Sequence, residues 1–171
     1  MTDRILVYGV TGSGKTTLAQ EIAARTGLPW TEADRLTWEP NWTAVEPAEQ
    51  RRRFAEICLQ DKWILDTAYG AWLDLPLARA QLIVGLDYPR WRSLGRLLKR
   101  TAARAIDHRE ICNGNVESWR GALAKDSIVL WHFRSFTRLR KRMRAWAVDP
   151  DAPTTILLRS PKQTEAWLKN L

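Results

Sequence analysis

The stretch that most constrains the fold of this chain is the glycine-rich turn GVTGSGKTT, which spans 9–17. Before it runs RILVYG, a short apolar segment typical of a buried strand. After it, Thr16–Thr26 carries apolar residues at helical spacing and is followed by Gly27, a common helix terminator. A strand, a glycine-rich turn and a helix in this order predict the first βα unit of a parallel sheet.

The turn fits the phosphate-loop pattern G-x-x-x-x-G-K-[ST]. Its glycines let the backbone curl so that N–H groups point inward at phosphate oxygens. The lysine of the pattern, Lys15, reaches the β- and γ-phosphates, and the hydroxyl of Thr16 ligates Mg²⁺. The sequence therefore predicts a site for ATP with Mg²⁺ as its cofactor. The predicted nucleotide-binding residues are Gly9, Thr11, Gly12, Ser13, Gly14, Lys15, Thr16 and Thr17.

A dinucleotide-binding loop is the competing interpretation of the same turn, with Gly12 and Gly14 as its first two glycines. That pattern needs a third Gly or Ala where the chain has Thr17, and it leaves Lys15 without a role. No guanine-reading N-K-x-D segment is present, and 171 residues leave little room for added motor domains. The small phosphoryl-transferases fit best, so an ATP-dependent kinase or ATPase is predicted.

Strand and helix patterns alternate along the rest of the chain. Further strands are predicted in LPWTEAD, KWILDTAYG and QLIVGLDYP, and PDAPTTILLRSP is predicted to hold a turn and the last strand. Helical patterns lie between them, and the two-proline segment TWEPNWTAVEP is predicted to be a loop. Such alternation predicts a P-loop three-layer α/β sandwich, in which helices cover both faces of a parallel sheet. With 45% hydrophobic residues, one domain accounts for the whole of 1–171.

Two aspartates follow predicted strands at the edge of the sheet that meets the phosphate loop. Asp66 ends the strand in KWILDT and is predicted to act on Mg²⁺ through water, or on the acceptor, with a turn or helix cap as the alternative. Asp34 follows the second strand and is predicted to accept the acceptor's proton or to hydrogen-bond it, again with a cap as the alternative. Thr16 and Asp66 are therefore the predicted metal residues.

Positive charge is concentrated in one part of the chain. The formal net charge is +8, and Arg90–Arg144 holds 15 Lys and Arg against 4 Asp and Glu. Arginines recur every fourth residue on two predicted helices: Arg92, Arg96, Arg100 and Arg104, then Arg134, Arg138 and Arg142. The residues between these helices lack a steady period and predict a helical, arginine-rich lid at about 100–138 that closes over phosphates. A solvated helix face is the alternative.

Longer stretches resemble the adenylate-kinase-like P-loop proteins, and within them the group named DNA topology-modulation proteins. The resembling stretches span nearly the whole chain: GVTGSGKTTLA, EADRLTWEPNW, KWILDTAYG, LIVGLDYPRWRSLGRLLKR, LWHFRSFTR and LLRSPKQTEAWL. The resemblance implies a five-stranded parallel sheet, ATP bound at 9–17 and an arginine-lined lid. Where relatives typically show D-G-N-Y, this chain has D-T-A-Y at 66–69.

The resemblance also carries roles onto single positions. Arg100 and Arg138 match the arginines that bracket the lid, so the predicted catalytic residues are Lys15, Arg100, Arg138 and Asp34. Trp38 and Trp42 match the acceptor-side stretch, where two indoles form a stacking platform for a ring or, alternatively, anchor a loop to the core. The predicted acceptor-binding residues are Asp34, Trp38, Trp42, Asp66 and Tyr69.

Two classes of function stay open from the sequence. In the first, the γ-phosphoryl group of ATP passes to a small acceptor, which is a nucleotide, a nucleoside or another small molecule. In the second, the chain is an ATP-binding regulator that contacts DNA or RNA through its basic segment 90–144; a nucleotide-binding protein without transferase activity is a further alternative. No apolar run approaches membrane-spanning length and the start lacks signal-peptide features, so a cytoplasmic protein without a membrane partner is expected.

Overall fold

Five parallel strands form the central sheet of the chain, which is described by a computed structural model. The structure describes residues 2–67, 70–107, 110–111, 113–116 and 128–171. The sheet strands are β1 (Arg4–Gly9), β2 (Trp30–Glu32), β5 (Trp63–Thr67), β6 (Leu82–Leu86) and β9 (Thr154–Leu158), in the spatial order β2-β5-β1-β6-β9. Because β1 lies in the middle, its carboxyl end and the turn that follows are placed at the centre of the sheet edge.

Helices cover both faces of this sheet, as the alternating pattern predicts. They are α1 (Lys15–Thr26), α2 (Asp34–Thr37), α3 (Pro47–Leu59), α4 (Asp74–Leu77), α5 (Arg90–Asp107), α6 (Ile128–Trp146) and α7 (Pro161–Lys169). Alternate residues of β1 enter two separate cores. Leu6 and Tyr8 pack with side chains of α3 and α6, while Ile5 and Val7 pack with side chains of α1 and α7. The predicted three-layer α/β sandwich is confirmed.

The predicted loop TWEPNWTAVEP contains regular structure. Its residues form a small antiparallel pair, β3 (Trp38–Glu39) and β4 (Thr43–Ala44), joined by a 3₁₀ turn at Pro40–Trp42. Asn41 and Trp42 have backbone φ angles of 62° and 55°, and this left-handed turn lets the chain reverse within three residues. Pro40 does prevent a regular α-helix here, but it does not prevent a hairpin.

A second short hairpin lies in the segment that has no steady period. Strands β7 (Glu110–Ile111) and β8 (Asn115–Val116) pair antiparallel, and Asn113 and Gly114 between them have φ angles of 60° and 80°. Asn-Gly is a strong hairpin signal because both residues tolerate positive φ. The central part of the predicted lid, 117–127, lies outside the described residues, so the lid at about 100–138 stays a prediction.

Candidate functional site

The phosphate-loop residues lie between β1 and α1 at the carboxyl edge of the sheet. Gly12 and Gly14 adopt φ angles of 79° and 98°, which favour glycine. A Cβ atom on Gly12 would stand 2.4 Å from the Ser93 carbonyl oxygen and 2.9 Å from the Leu97 Cβ atom, so the loop passes directly against α5. Only glycine permits this approach, so this chain requires glycine at a position that the phosphate-loop pattern leaves open.

Side chains from α5 and α6 also hold the loop through its backbone carbonyls. Arg96 Nη1 donates to Ser13 O at 3.2 Å, and His132 Nδ1 donates to Thr11 O at 3.0 Å. Lys15 Nζ donates to Val10 O at 3.2 Å within the loop itself. The two basic helices are thereby tied to the phosphate loop. Arg96 belongs to the arginine stripe that the sequence shows, but His132 has no signal that would single it out.

Lys15 lies among the charged groups that the sequence predicts for the site. Burial lowers the pKa of its ammonium group; nearby Asp66 and Asp34 oppose this effect, and nearby Arg100 adds to it. The structure therefore brings together four predicted site residues from α1, α2, β5 and α5. Asp34 lies in the first turn of α2, where Ala33 occupies the cap position, so Asp34 is not the helix cap that the sequence left open.

Asp66 connects the phosphate loop with the residues that follow β2. Its carboxylate is only 4% exposed and accepts hydrogen bonds from the Ala33 backbone N–H, at 3.1 Å, and from the Thr16 side chain. Burial raises the pKa of Asp66, and Asp34 adds to the shift. Two oxygen ligands for a cation, the Thr16 hydroxyl and the Asp66 carboxylate, are thus in direct contact.

Glu32 is a site residue that the sequence reasoning missed. It ends β2 and pairs in register with Asp66 on β5, so its carboxyl group joins the same strand edge. Burial raises the pKa of Glu32, and the neighbouring carboxylates Asp66 and Asp34 raise it further. The position of Glu32 at the end of a strand is the signal that identified Asp66 and would have identified Glu32.

His132 is fully buried and holds the phosphate loop with a single nitrogen. Because a carbonyl oxygen only accepts, the bond to Thr11 O fixes the proton on Nδ1, and Nε2 then carries a lone pair. Nε2 is buried and has no hydrogen-bond partner among the described residues. Burial lowers the pKa of His132, and the cations Arg90 and Lys15 lower it further.

Replacing His132 tests this contact. The pKa of His132 is lower in the folded state than in the unfolded state, so folding favours the neutral ring. This contribution to stability is fully present above the ordinary histidine pKa of about 6.5. It is lost as the pH falls toward the lowered pKa of the folded state. We expect H132N, whose Nδ2 can still donate to Thr11 O, to lose less thermal stability than wild type between about pH 7 and pH 5. H132L should cost about 1–3 kcal/mol at pH 7 because it leaves a buried carbonyl unpaired. An equal acid shift for wild type and H132N, measured by thermal melts, contradicts the assignment.

The sequence predicts acceptor-binding residues at Asp34, Trp38 and Trp42, and we call residues 34–44 the acceptor segment. Trp38 and Trp42 pack edge to face, with ring centroids 5.8 Å apart and an interplanar angle of 79°. Trp42 remains 41% exposed, so the indole pair is not fully used to anchor the segment. Tyr69, the other predicted aromatic residue of the acceptor side, lies outside the described residues.

Arginines of α6 serve two different purposes. Arg140 and Arg144 both contact the fully buried Asp87 carboxylate, the latter at 2.9 Å, so Asp87 anchors α6 and is not merely a turn residue as its Tyr-Pro context suggests. Arg142 lies on another side of the helix, with Nη1 3.3 Å from the place where a Gly70 Cβ atom would stand. Its cation also lies close enough to the buried Tyr8 to oppose the rise in the Tyr8 pKa that burial causes.

The two arginines predicted to act in catalysis have different surroundings. Arg100 is half-buried and close enough to Lys15 to affect its pKa. Arg138 is exposed on α6, and its guanidinium carbon lies 5.7 Å from the centre of the Trp131 ring. The geometry therefore places Arg100 beside the phosphate loop, whereas Arg138 lies one helical turn from Arg142 on the side that faces Tyr8. Some stripe residues are surface charges, such as Arg92, which packs over the exposed Trp91.

A protein-family model matches the part of the chain that contains the phosphate loop. The model of the ATPase family associated with various cellular activities (AAA) matches residues 5–65, the part of the chain from β1 to β5. No curated protein matches the chain. None of the described helices has both the length and the apolar content that spanning a membrane requires.

Among the solved structures similar to the chain are three kinases. A sugar kinase from Janibacter sp. HTCC2649 is 20% identical with a TM-score of 0.53, and 99% of this chain and 94% of that chain are covered. A gluconokinase from Sinorhizobium meliloti 1021 is 16% identical with a TM-score of 0.55, over 99% and 93%. A shikimate kinase from Bacteroides thetaiotaomicron is 14% identical with a TM-score of 0.58, over 99% and 96%.

These likenesses concern the fold, since sequence identity is low in each case. The narrower resemblance to the DNA topology-modulation proteins stays a prediction. Together, the glycine-rich turn at the centre of the sheet edge, the AAA match over that turn and the full-length likeness to kinases give one conclusion. The chain has the P-loop kinase-like fold.

Proposed function

We propose that the chain is a Mg-ATP-dependent phosphotransferase that moves the γ-phosphoryl group of ATP to a small acceptor. The observation that carries this proposal is the meeting of Lys15, Asp34, Asp66 and Arg100 at the phosphate loop. A protein that only binds nucleotide needs the loop and its lysine. Phosphoryl transfer needs carboxylates and an arginine at the same edge of the sheet as well. The carboxylates bind the metal ion and accept the acceptor's proton, and the arginine stabilises the negative charge of the transferring group.

Mg²⁺ fits the oxygen ligands that the loop and β5 present. Thr16 and Asp66 would hold it, directly or through water, and the ion would neutralise charge on the β- and γ-phosphates. No group of three or more His, Cys, Asp or Glu side chains that could hold a metal occurs in the described part of the chain. This agrees with Mg²⁺, which takes one or two protein ligands and completes its shell with phosphate oxygens and water.

The transfer itself is assigned to the chain's own groups. The acceptor hydroxyl oxygen forms a bond to the γ-phosphorus while the bond from that phosphorus to the β–γ bridging oxygen breaks, which leaves ADP. Asp34 accepts the acceptor's proton, and Glu32 lies near enough to share that role. Lys15 holds the β- and γ-phosphates, and Arg100 neutralises the transferring group.

The acceptor that this site favours carries a ring and an anionic group. The exposed indole of Trp42 offers a face for a ring. Arg138 and Arg142 lie on α6 near Tyr8, and they are not the two arginines, Arg140 and Arg144, that pair with Asp87. A carboxylate or phosphate on the acceptor is the natural partner for such a pair. The sugar kinase, gluconokinase and shikimate kinase that share the fold support a small-molecule acceptor.

Turnover with a panel of acceptors tests the proposal. ADP release and product mass are measured with MgATP alone and with D-glucose, D-gluconate, shikimate, adenosine or AMP. We expect an acidic member of the panel to raise ADP release above the background and to gain the mass of one phosphoryl group. Background turnover with every acceptor, together with tight MgATP binding, would identify a nucleotide-binding protein without transferase activity and contradict the proposal.

Replacing Asp66 separates its chemical role from its role in folding. D66N keeps an oxygen that accepts from the Ala33 N–H but loses the negative charge that Mg²⁺ needs. We expect transfer to fall about 10²-fold or more and the Mg²⁺ requirement to rise. The melting temperature should not fall, because burial disfavours the carboxylate charge that the variant removes. D66N with wild-type Mg²⁺ dependence, measured in Mg²⁺ titrations of turnover, contradicts the metal assignment.

Nucleic-acid binding is the second candidate function, and exposed aromatic residues among the arginines favour it. Phe133 is 46% exposed, and Arg90 packs over its ring; Trp91 and Trp131 have arginines in the same arrangement. Bases stack on such side chains in single-strand-binding proteins. Binding of a labelled oligonucleotide would then fall steeply with salt, and charge reversal at Arg134 and Lys141 would remove it without affecting MgATP binding. Salt-independent or undetectable binding rules this candidate out.

A further inference from the structure

Two asparagines of the β7–β8 hairpin are bonded to the backbone of the acceptor segment. Asn113 Nδ2 donates to Arg35 O at 3.2 Å and to Trp38 O at 2.6 Å. Asn115 Nδ2 donates to Glu39 O at 3.0 Å, and its Oδ1 accepts from the Trp42 N–H at 2.5 Å. The contacts run across 73 or more positions of sequence, and they fix the backbone of both indole-bearing residues.

The contacts of Asn115 require a side chain that both donates and accepts a hydrogen bond. The residue is 2% exposed, and its amide uses both its donor and its acceptor on one short stretch of backbone. Aspartate has no donor for Glu39 O, and a hydrophobic residue would leave both backbone groups without these partners. The side chain is therefore matched to the turn it holds.

The 3₁₀ turn at Pro40–Trp42 needs stabilising contacts because its backbone is strained. Asn41 and Trp42 have consecutive left-handed φ angles of 62° and 55°. Asparagine tolerates this region, but for a bulky residue such as tryptophan it costs on the order of 1–3 kcal/mol. The hydrogen bond from the Trp42 N–H to Asn115 Oδ1 offsets part of that cost. Without it, the segment should relax and the Trp42 ring should leave its edge-to-face position against Trp38.

We propose that Asn113 and Asn115 are positioning residues of the acceptor site, which hold the indole pair as a wall against the ring of the acceptor. The proposal rests on the proposed function, since it names what the acceptor segment recognises. Through these bonds the β7–β8 hairpin takes part in acceptor recognition. The ligand it serves has a ring with an apolar face, from a sugar or from a heteroaromatic base.

Hydrogen exchange measures the positioning role without any ligand. In N115A we expect the Trp42 amide to exchange about tenfold faster or more, the size expected for the loss of a hydrogen bond of about 1.4 kcal/mol. N115D, which keeps an oxygen for the Trp42 N–H, should retain most of the protection. N170A serves as the control, because Asn170 also donates to a backbone carbonyl, Ala166 O at 2.9 Å, but at the end of α7. Wild-type exchange at Trp42 in N115A overturns the proposal.

Kinetics then separates positioning from general stability. With an acceptor that is turned over, we expect N115A and N113A to raise the acceptor KM about tenfold while background ATP hydrolysis and its KM for MgATP stay unchanged. Thermal shifts with adenosine and with D-glucose distinguish a heteroaromatic ring from a sugar ring. Equal losses for MgATP and acceptor would indicate only a folding defect and would contradict positioning. If wild type turns over no acceptor, the proposed function fails, and Trp42 exchange alone decides the role of the asparagines.

Discussion

Replacing Lys15 with alanine should abolish both phosphoryl transfer and ATP turnover, by about 10³-fold or more in kcat/KM. The ammonium group lies at the phosphate loop, beside Asp66, Asp34 and Arg100, and bonds to Val10 O in the loop. A charge placed where the transferring group becomes most negative contributes more to the transition state than to the bound ground state. We therefore expect the Kd for MgATP, measured by calorimetry, to change by a smaller factor than kcat/KM, measured by steady-state kinetics.

The loss in K15A should not come from unfolding. Burial lowers the pKa of Lys15, so its charged form carries a desolvation cost that the variant no longer has, while the attraction to Asp66 and Asp34 is lost as well. These two effects oppose each other, and the melting temperature should stay within a few degrees of the wild-type value. K62A is the matched control, because Lys62 is an exposed lysine that pairs with Asp3 at 3.6 Å. A K15A variant that keeps a tenth of wild-type turnover contradicts the assignment.

The fold could be predicted from the sequence because local pattern and tertiary structure agree. Every predicted sheet strand is found in the central sheet, and all but the partly buried β2 are short apolar runs between turn signals. The basic helix with Phe136, Leu139 and Met143 at helical spacing buries these three residues, although its surface is strongly charged. Periodicity in such segments reports burial directly, and burial decides where a helix or strand packs.

Site residues could be predicted from the sequence only where a charged or polar residue directly follows a predicted strand. Lys15, Asp34 and Asp66 meet as expected, since parallel strands end at one edge. His132 and Arg96 reach the phosphate loop from helices far along the chain, and no local pattern shows which turn of a helix faces a loop. The hairpin at Asn113 was within reach of sequence reasoning through its Asn-Gly signal, but its contacts with the acceptor segment depend on tertiary packing.

Outside the phosphate loop, we expect the replacement of Arg100 with alanine to lower turnover the most. The kcat should fall by about 10²–10³-fold, whereas the Kd for MgATP should change less than about threefold. Arg100 is half-buried on α5 and close to Lys15, so a γ-phosphate bound at the loop would meet its charge in a setting that screens it less than bulk water does. R100K should recover only part of the rate, because lysine supplies a charge but not the two-pronged guanidinium geometry. R92A is the control from the same helix, where the guanidinium packs over Trp91.

A comparison of R100A with R138A tests which arginine acts in transfer, because the sequence predicts both Arg100 and Arg138 to be catalytic. R138A should also lower turnover with little effect on MgATP binding, but less than R100A, since Arg138 is exposed beside Trp131 and lies toward Tyr8. If both guanidiniums act on the transferring group, the double variant should lose less than the product of the single losses. If Arg138 instead pairs with the anionic group of the acceptor, the role proposed for it together with Arg142, R138A should raise the acceptor KM and the losses should multiply. A larger loss in kcat for R138A than for R100A would reverse the assignment and place the transferring group against α6.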